Sequence, residues 1–337
     1  LDGDKDLFIG SSVIPNLYGL SPTSYLLENT GSGKFKILPD WLGSSTFDNI
    51  TRVKPGMVKD AVWSDINKDG LPDLILVGTW MPLTILIQQP DHKFKNQTRQ
   101  YGLMDTRGWW NTIVSSDVDH DGDEDFIAGN LGLNSRVSAS RQKPLSLYLG
   151  DFDSNGSSDH IMVYYNGDEA YPFVTRDQLV KQIPSMKKKF LHYRDYRNVN
   201  LQDIITPAQE GNSSILQADE FRSVVLINDL KKFTIQPLPS EAQLFPVCSI
   251  LTDDFDQDGI MDLILAGNYI DVQPELGPYD AGYGVMLKGG LDGKFTGLTP
   301  RNSGLLVSGE VRGIQKVSGA NGQKNLLIAR NNNRVLA

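Results

Sequence analysis

The chain has 337 residues, 39% apolar and 22% charged, with a formal net charge of -9. That is ample material for a core, and the acidic balance argues against a general nucleic-acid surface. No run approaches 18 apolar residues, so no transmembrane helix is predicted. The lone cysteine, Cys248 in the apolar run FPVCSIL, excludes an intrachain disulfide and reads as a small buried hydrophobe.

The chain opens on LDGDKDL, where Asp2, Gly3 and Asp6 fit the second half of a nine-residue acidic pattern that recurs downstream. A start inside the pattern reads as a fragment of a longer protein. LFIG follows as a predicted strand, and YLLENTGSGKFK gives an apolar run, a polar turn and Lys-Phe, a predicted hairpin. GMVKDAVWS leads into the first full copy, DINKDGLPD (Asp65–Asp73), LILVG leaves it, and ILIQQPDHKFK repeats the Lys-Phe hairpin. GWWNTIVSS, DVDHDGDED (Asp117–Asp125) and FIAG repeat the strand, loop and strand, as do KPLSLYLG, DFDSNGSSD (Asp151–Asp159) and HIMVYY.

An insertion of about residues 166 to 215 comes next. Within it TRDQLVKQI (Thr175–Ile183) is a predicted helix with Thr175 and Gln178 as a capping box. Pro184 ends it, and Ser185 is expected to cap a second helix through Tyr196. VVLINDLKKFT is another Lys-Phe hairpin. FPVCSILT, DFDQDGIMD (Asp254–Asp262) and LILAG form the fourth full copy, followed by VMLKGGLDGKFT. Near the end GANGQKNLLIA keeps Asn321, Gly322 and Asn325 but no carboxylate, so no metal is expected there. Two hairpins per unit of roughly 50 to 60 residues make a four-stranded antiparallel blade, and the fold class read from this is all-β, a β-propeller. Residues 1–337 then form part of one propeller, with 166–215 a partly helical insertion. The loop spacings are uneven: 52 residues from Asp65 to Asp117, 34 to Asp151 and 103 to Asp254, which leaves the blade edges between 117 and 166 unassigned.

Each full copy places Asp at position 1, Asp or Asn at 3 and 5, Gly at 6 and Asp at 9. Alternate side chains in a tight loop converge on one point, and oxygen is the ligand Ca²⁺ prefers. Gly at position 6 allows the sharp turn. The expected ligands are Asp65, Asn67, Asp69 and Asp73; Asp117, Asp119, Asp121 and Asp125; Asp151, Asp153, Asn155 and Asp159; and Asp254, Asp256, Asp258 and Asp262. The backbone carbonyls of Leu71, Asp123, Ser157 and Ile260 at position 7 join them, and Asp2 and Asp6 belong to the half-loop. Position 12 is Leu76, Ala128, Met162 or Leu265 in strand-like runs, which excludes an EF-hand, where Glu and a helix are required. About four structural Ca²⁺ sites are expected. Loops 117 and 254 carry the most carboxylates, and loop 151 is expected to empty first under chelation. Weak, millimolar-range loops of this kind fill outside the cytoplasm.

The acidic loops followed by Lys-Phe hairpins resemble FG-GAP or VCBS repeats, the Ca²⁺-loop propeller blades of integrin α-subunits. GWWNTIVSSDVDHDGDEDFIAGNLGLNSR, QIPSMKKKF and ILTDDFDQDGIMDLILAGNYIDVQPELGPYDAGYG are similar to VCBS-repeat proteins of Bacteroidetes related to the ASPIC/UnbV and cartilage-acidic-protein group. The resemblance implies a Ca²⁺-stabilised, extracellular or cell-surface module. In Bacteroidetes it implies an outer-membrane lipoprotein, at times beside SusC/SusD-type nutrient transporters, with any anchor upstream of this fragment.

Histidines occur at 92, 120, 160 and 192, and no GxSxG, HExxH or P-loop is present. The reading is a non-enzymatic binding or accessory module with a protein partner, a glycan as a further possible ligand, and no nucleic acid. The alternative is a carbohydrate-active propeller enzyme, a lyase or hydrolase. Lys187, Lys188, Lys189, Arg194 and Arg197 form a basic run in an acidic chain and are candidates for partner docking. Tyr269, Tyr279 and Tyr283 lie in a long aromatic, Gly-rich loop, a second candidate surface. Of Trp109 and Trp110, at least one is expected in the core.

Overall fold

The computed structural model describes residues 5–42, 53–273, 277–319 and 321–337. Asp2 and Gly3 lie outside the described residues. The chain forms two compact units. The first takes the chain up to Ser12, Ser21–Arg136 and Phe221–Ala337; the second takes Val13–Leu20 and Val137–Glu220. Strands in antiparallel sheets dominate and helices are few and short, so the fold is all-β.

The predicted strands form where apolar runs are bounded by Gly, Asn and Asp turns. A first sheet holds β1 (Leu7–Ile9), β2 (Tyr25–Asn29) and β3 (Phe35–Leu38). A second holds β4 (Met57–Ser64), β5 (Asp73–Met81), β6 (Thr84–Gln88) and β7 (Phe94–Asn96), with β8 (Gly108–Trp109) paired to β5. The third begins with β9 (Thr112–Ser116) and β10 (Asp125–Gly129). The chain then leaves for the second unit, whose sheet is β11 (Leu145–Gly150), β12 (Asp159–Asn166), β13 (Glu169–Pro172) and β14 (Ser214–Ala218). It returns as β15 (Val224–Asn228) and β16 (Phe233–Pro237), which complete the third sheet against β10. A fourth sheet is β17 (Val247–Asp253), β18 (Asp262–Gly267), β19 (Val285–Gly289) and β20 (Phe295–Leu298), and the hairpin of β21 (Val311–Ser318) and β22 (Lys324–Arg330) follows.

This nesting accounts for the uneven loop spacing. The 151 loop joins β11 to β12 in the second unit, so it interrupts the third sheet between β10 and β15. The second unit is also wider than the 166–215 segment, since the strands on both sides of the helices belong to it.

Strands buried on both faces explain the continuous apolar runs, because alternate side chains enter different cores. Leu74 and Leu76 of β5 pack with Leu26 and Leu86, while Ile75 and Val77 pack with Trp110 and Phe126. Ile127 of β10 packs with Val247 and Leu263, and Ile264 and Ala266 of β18 pack with Val311 and Ile314. The sheets of the first unit therefore stack face to face in chain order. Trp110 is fully buried in this core; Trp109 is half-buried with its ring 5.2 Å from Trp80.

In the second unit α1 (Arg176–Gln182) starts on the Thr175–Gln178 capping box. The expected second helix is short: α2 (Met186–Lys189) has no side-chain cap at Ser185 and stops at Phe190. Phe190 turns its ring into the core, and its carbonyl and that of Leu191 accept from the Arg176 guanidinium, so helical continuation is replaced by a packed corner. A 3₁₀ turn, Tyr193–Tyr196, follows.

Candidate metal centres in the acidic loops

All four full acidic patterns close hairpins in one register. The residue before position 1 pairs with position 9: Ser64 with Asp73, Ser116 with Asp125, Gly150 with Asp159 and Asp253 with Asp262. The backbone path is also shared. Position 4 is left-handed in Lys68, His120, Ser154 and Gln257, with φ 57° to 63°, and the glycine at position 6 has φ 83° to 87°. Both conformations turn backbone N–H groups inward.

Those N–H groups meet the predicted acidic side chains. Gly70, Gly122, Gly156 and Gly259 donate to the position-1 carboxylates Asp65, Asp117, Asp151 and Asp254. The N–H groups of Leu71, Asp123, Ser157 and Ile260 at position 7 donate to the side-chain oxygens of Asp69, Asp121, Asn155 and Asp258. The structure gathers Asp117, Asp119 and Asp125; Asp151, Asp153 and Asp159; and Asp254, Asp256 and Asp262, each set with an oxygen from every member within 4.8 Å of the others. Two oxygens on opposite sides of a Ca²⁺ at about 2.4 Å would be about that far apart. In the 65 loop position 3 is Asn67, whose amide donates to the Asp69 carboxylate at 2.9 Å.

The 117 loop has the largest unbalanced charge. Oδ1 of Asp117 and Oδ1 of Asp123 are buried with no donor. Burial pushes the Asp123 carboxyl up to about 6, helped by the hydrogen bond and charge of Asp121 facing it. Sequence reasoning assigned Asp123 only its carbonyl; its carboxylate also points into the loop region. Buried oxygens with no donors, in an oxygen-only set, fit a hard cation.

The 254 loop differs. Lys288 from β19 places its ammonium on Asp256 and, at 2.8 Å, on Asp258, and Lys316 pairs with Asp253. These contacts lie on neighbouring strands, so the nine-residue pattern gives no sign of them.

Position 9 does more than supply an oxygen. Asp73, Asp125 and Asp262 are buried, with at most 1% of their surface exposed. One oxygen of each accepts the N–H of position 2 (Ile66, Val118, Phe255). The other accepts the N–H of Gln88, Asn228 or Gly289, the last residue before a Lys-Phe hairpin turn. Asp6 of the half-loop makes the same bond to Asn29, at 2.9 Å. Asp159 accepts from Phe152 in the second unit. The position-9 aspartate therefore ties the acidic loop to the Lys-Phe hairpin of its own sheet. The phenylalanines Phe35, Phe94, Phe233 and Phe295 sit opposite those donors, across each second turn.

Residues 65–128 match the FG-GAP-like repeat. The match covers the loops at 65 and 117 and the strands between them, and repeats of this kind commonly bind Ca²⁺ in β-propeller modules of adhesion or binding type. No curated protein matches the chain. The loops at 151 and 254 lie outside the matched span but share its backbone path and donor pattern. No helix among the described residues is long and apolar enough to cross a membrane.

Lys187, Lys188, Lys189, Arg194 and Arg197 are all exposed; Lys189 also donates to the Asp203 carbonyl, and Arg194 lies 3.7 Å from Asp195. Tyr269 and Tyr279 pair through their backbones at 3.0 and 2.7 Å, and Tyr283 is exposed. The Tyr269 side chain turns inward instead of lining the loop surface. Cys248 is half-buried, not a core hydrophobe: its Sγ is 3.7 Å from Arg312 Nη1, because the adjoining strand presents a guanidinium there. A groove of about 580 Å³ runs between Val225, Ile235, Leu238 and Phe295, with Gln236 and Lys294 as its polar side chains.

Proposed function

We propose that the chain is part of a Ca²⁺-stabilised β-propeller that acts outside the cell as a non-enzymatic binding module. The observation that supports this best is one loop geometry in four copies, with clustered carboxylates in three of them and buried unpaired oxygens in the 117 loop. Asp117, Asp119, Asp121 and Asp125, and their counterparts in the other loops, would hold the ions. A bound ion supplies positive charge that cancels carboxylate repulsion and locks the hairpin; a ligand that binds only the folded state stabilises it by about 2.7 kcal/mol at a hundredfold excess over its dissociation constant. The position-9 bridge passes that rigidity from the acidic loop to the Lys-Phe hairpin.

The module would present the exposed lysines of the second unit to a protein partner, with an outer-membrane uptake complex as the setting the sequence resemblance implies. Calorimetric titration with Ca²⁺ tests the metal: saturable binding that Asp119→Asn weakens supports the reading, and an unchanged titration removes it. Partner capture that Lys187→Glu with Lys188→Glu abolishes supports the surface. Turnover on a glycan panel would favour a carbohydrate-active enzyme instead.

A further inference from the structure

In the first unit the leading strands of successive sheets lie side by side: β4 against β9, β9 against β17, and β17 against β21. Each contributes a polar side chain to one cluster, namely Lys59 from β4, Asn111 just before β9, Cys248 from β17 and Arg312 from β21. Tyr269, after β18, sits among them. Lys59 Nζ donates to Asn111 Oδ1 at 2.8 Å and lies 3.3 Å from the Tyr269 hydroxyl, which also donates to Asn111. The ammonium is 5.6 Å and the Arg312 guanidinium 5.3 Å from the centre of the Tyr269 ring.

The charges and donors here do not balance. Glu310 is committed to Arg312 and to the N–H groups of Ile270 and Asp271. Asp60 accepts from the Thr112 hydroxyl at 2.9 Å and the Ile113 N–H at 3.0 Å. Lys59 thus bonds to neutral oxygens, and Asn111 Nδ2 is buried with no acceptor. Desolvation lowers the Lys59 ammonium to about 8, opposed by Cys248 and reinforced by Arg312. The Lys59 side chain is exposed, so an anion can approach its ammonium from solvent.

We propose that Lys59 and Asn111, with Arg312 and Tyr269 behind them, form a binding site for the carboxylate of a small organic acid. A carboxylate supplies what the cluster lacks, one negative charge for the ammonium, which Asn111 Oδ1 and the Tyr269 hydroxyl hold in place. It needs no proton transfer and no metal, and none of the residues belongs to an acidic loop, so the site stands or falls apart from Ca²⁺ binding.

The test is calorimetry on the full chain in millimolar Ca²⁺, with D-glucuronate as probe, D-glucose as its uncharged counterpart and inorganic phosphate as a carboxylate-free anion. Glucuronate should bind and glucose should not. Lys59→Met should weaken glucuronate at least tenfold and Asn111→Ala several-fold, with the Ca²⁺ titration unchanged. In wild-type protein, glucuronate should also slow acylation of Lys59 read by peptide mass spectrometry, a measurement that holds even if a variant misfolds. Equal binding of glucose, binding of phosphate alone, or Lys59 acylation indifferent to glucuronate would overturn the assignment.

Discussion

Asp119 and Asp125 look alike in sequence and differ in what their oxygens do. Asp119 lies near the loop surface and accepts one loop N–H; Asp125 is buried and accepts N–H groups from Val118 and from Asn228, 103 residues away. Replacing Asp125 with Asn sets an amide NH₂ against one of those donors and leaves it unpaired, at about 1–3 kcal/mol. Asp125→Asn should therefore lower stability by that amount in chelator as well as in Ca²⁺, measured by urea unfolding. Asp119→Asn should lower Ca²⁺ affinity and cost little in chelator. The same burial makes stability depend on pH. Burial holds the carboxyls of Asp73 and Asp125 up at about 6, against the usual value near 4, with the backbone N–H bonds pulling the other way. A raised carboxyl binds more protons folded than unfolded, so stability falls as pH rises through roughly 4 to 6. In chelator the protein should unfold at higher denaturant near pH 4.5 than near pH 7. In saturating Ca²⁺ that slope should flatten or reverse, since the ion binds the ionised form.

At the scale of the hairpin, the carboxylate count alone ranks loops 117 and 254 together. The structure separates them. Lys288 already offsets one of the two charges of Asp256 and Asp258, and an incoming cation must displace it, whereas Asp117 and Asp123 keep buried oxygens without donors. The 117 loop should hold its ion at the lowest free Ca²⁺, and Lys288→Met should tighten the 254 loop severalfold; site-resolved metal occupancy across a chelator series reads both. The loops, the hairpins and the buried strands that follow the loops were legible in the sequence because each rests on local spacing: positions 1, 3, 5, 6 and 9, or a short continuous apolar run. What was not legible came from elsewhere in the chain. Lys288 reaches its loop from 30 residues away, and Lys59 meets Tyr269 across 210. The early stop of the second helix depends on Arg176, 14 residues before Phe190, capturing its carbonyl. The capping box at Thr175, a contact over three residues, was visible.

For the whole molecule, the chain order hides a simple partition. Between β10 and β15 the chain spends residues 137–220 on a second unit with its own core, including Phe152, Ile161, Leu179 and Phe190, and its own acidic loop. The exit and return points nevertheless meet in the first unit: the Gly132 N–H donates to the Phe221 carbonyl at 2.8 Å, and Phe126 of β10 pairs with Leu226 of β15. Closing a short loop costs little, since the entropy of closure grows only slowly with length. A chain in which a short Gly-Ser linker joins Arg136 to Phe221 should keep its strand circular dichroism and a cooperative unfolding transition. It should also keep the Ca²⁺ response of loops 117 and 254, while the binding attributed to loop 151 disappears. Val13–Leu20 would lose its own contacts, among them the Tyr18 carbonyl at His160, and should become protease-sensitive without unfolding the rest. Collapse of the excised chain to an unfolded or aggregated state, with no Ca²⁺-dependent recovery, would mean that the third sheet takes its stability from the inserted segment and not from its pairing with β10.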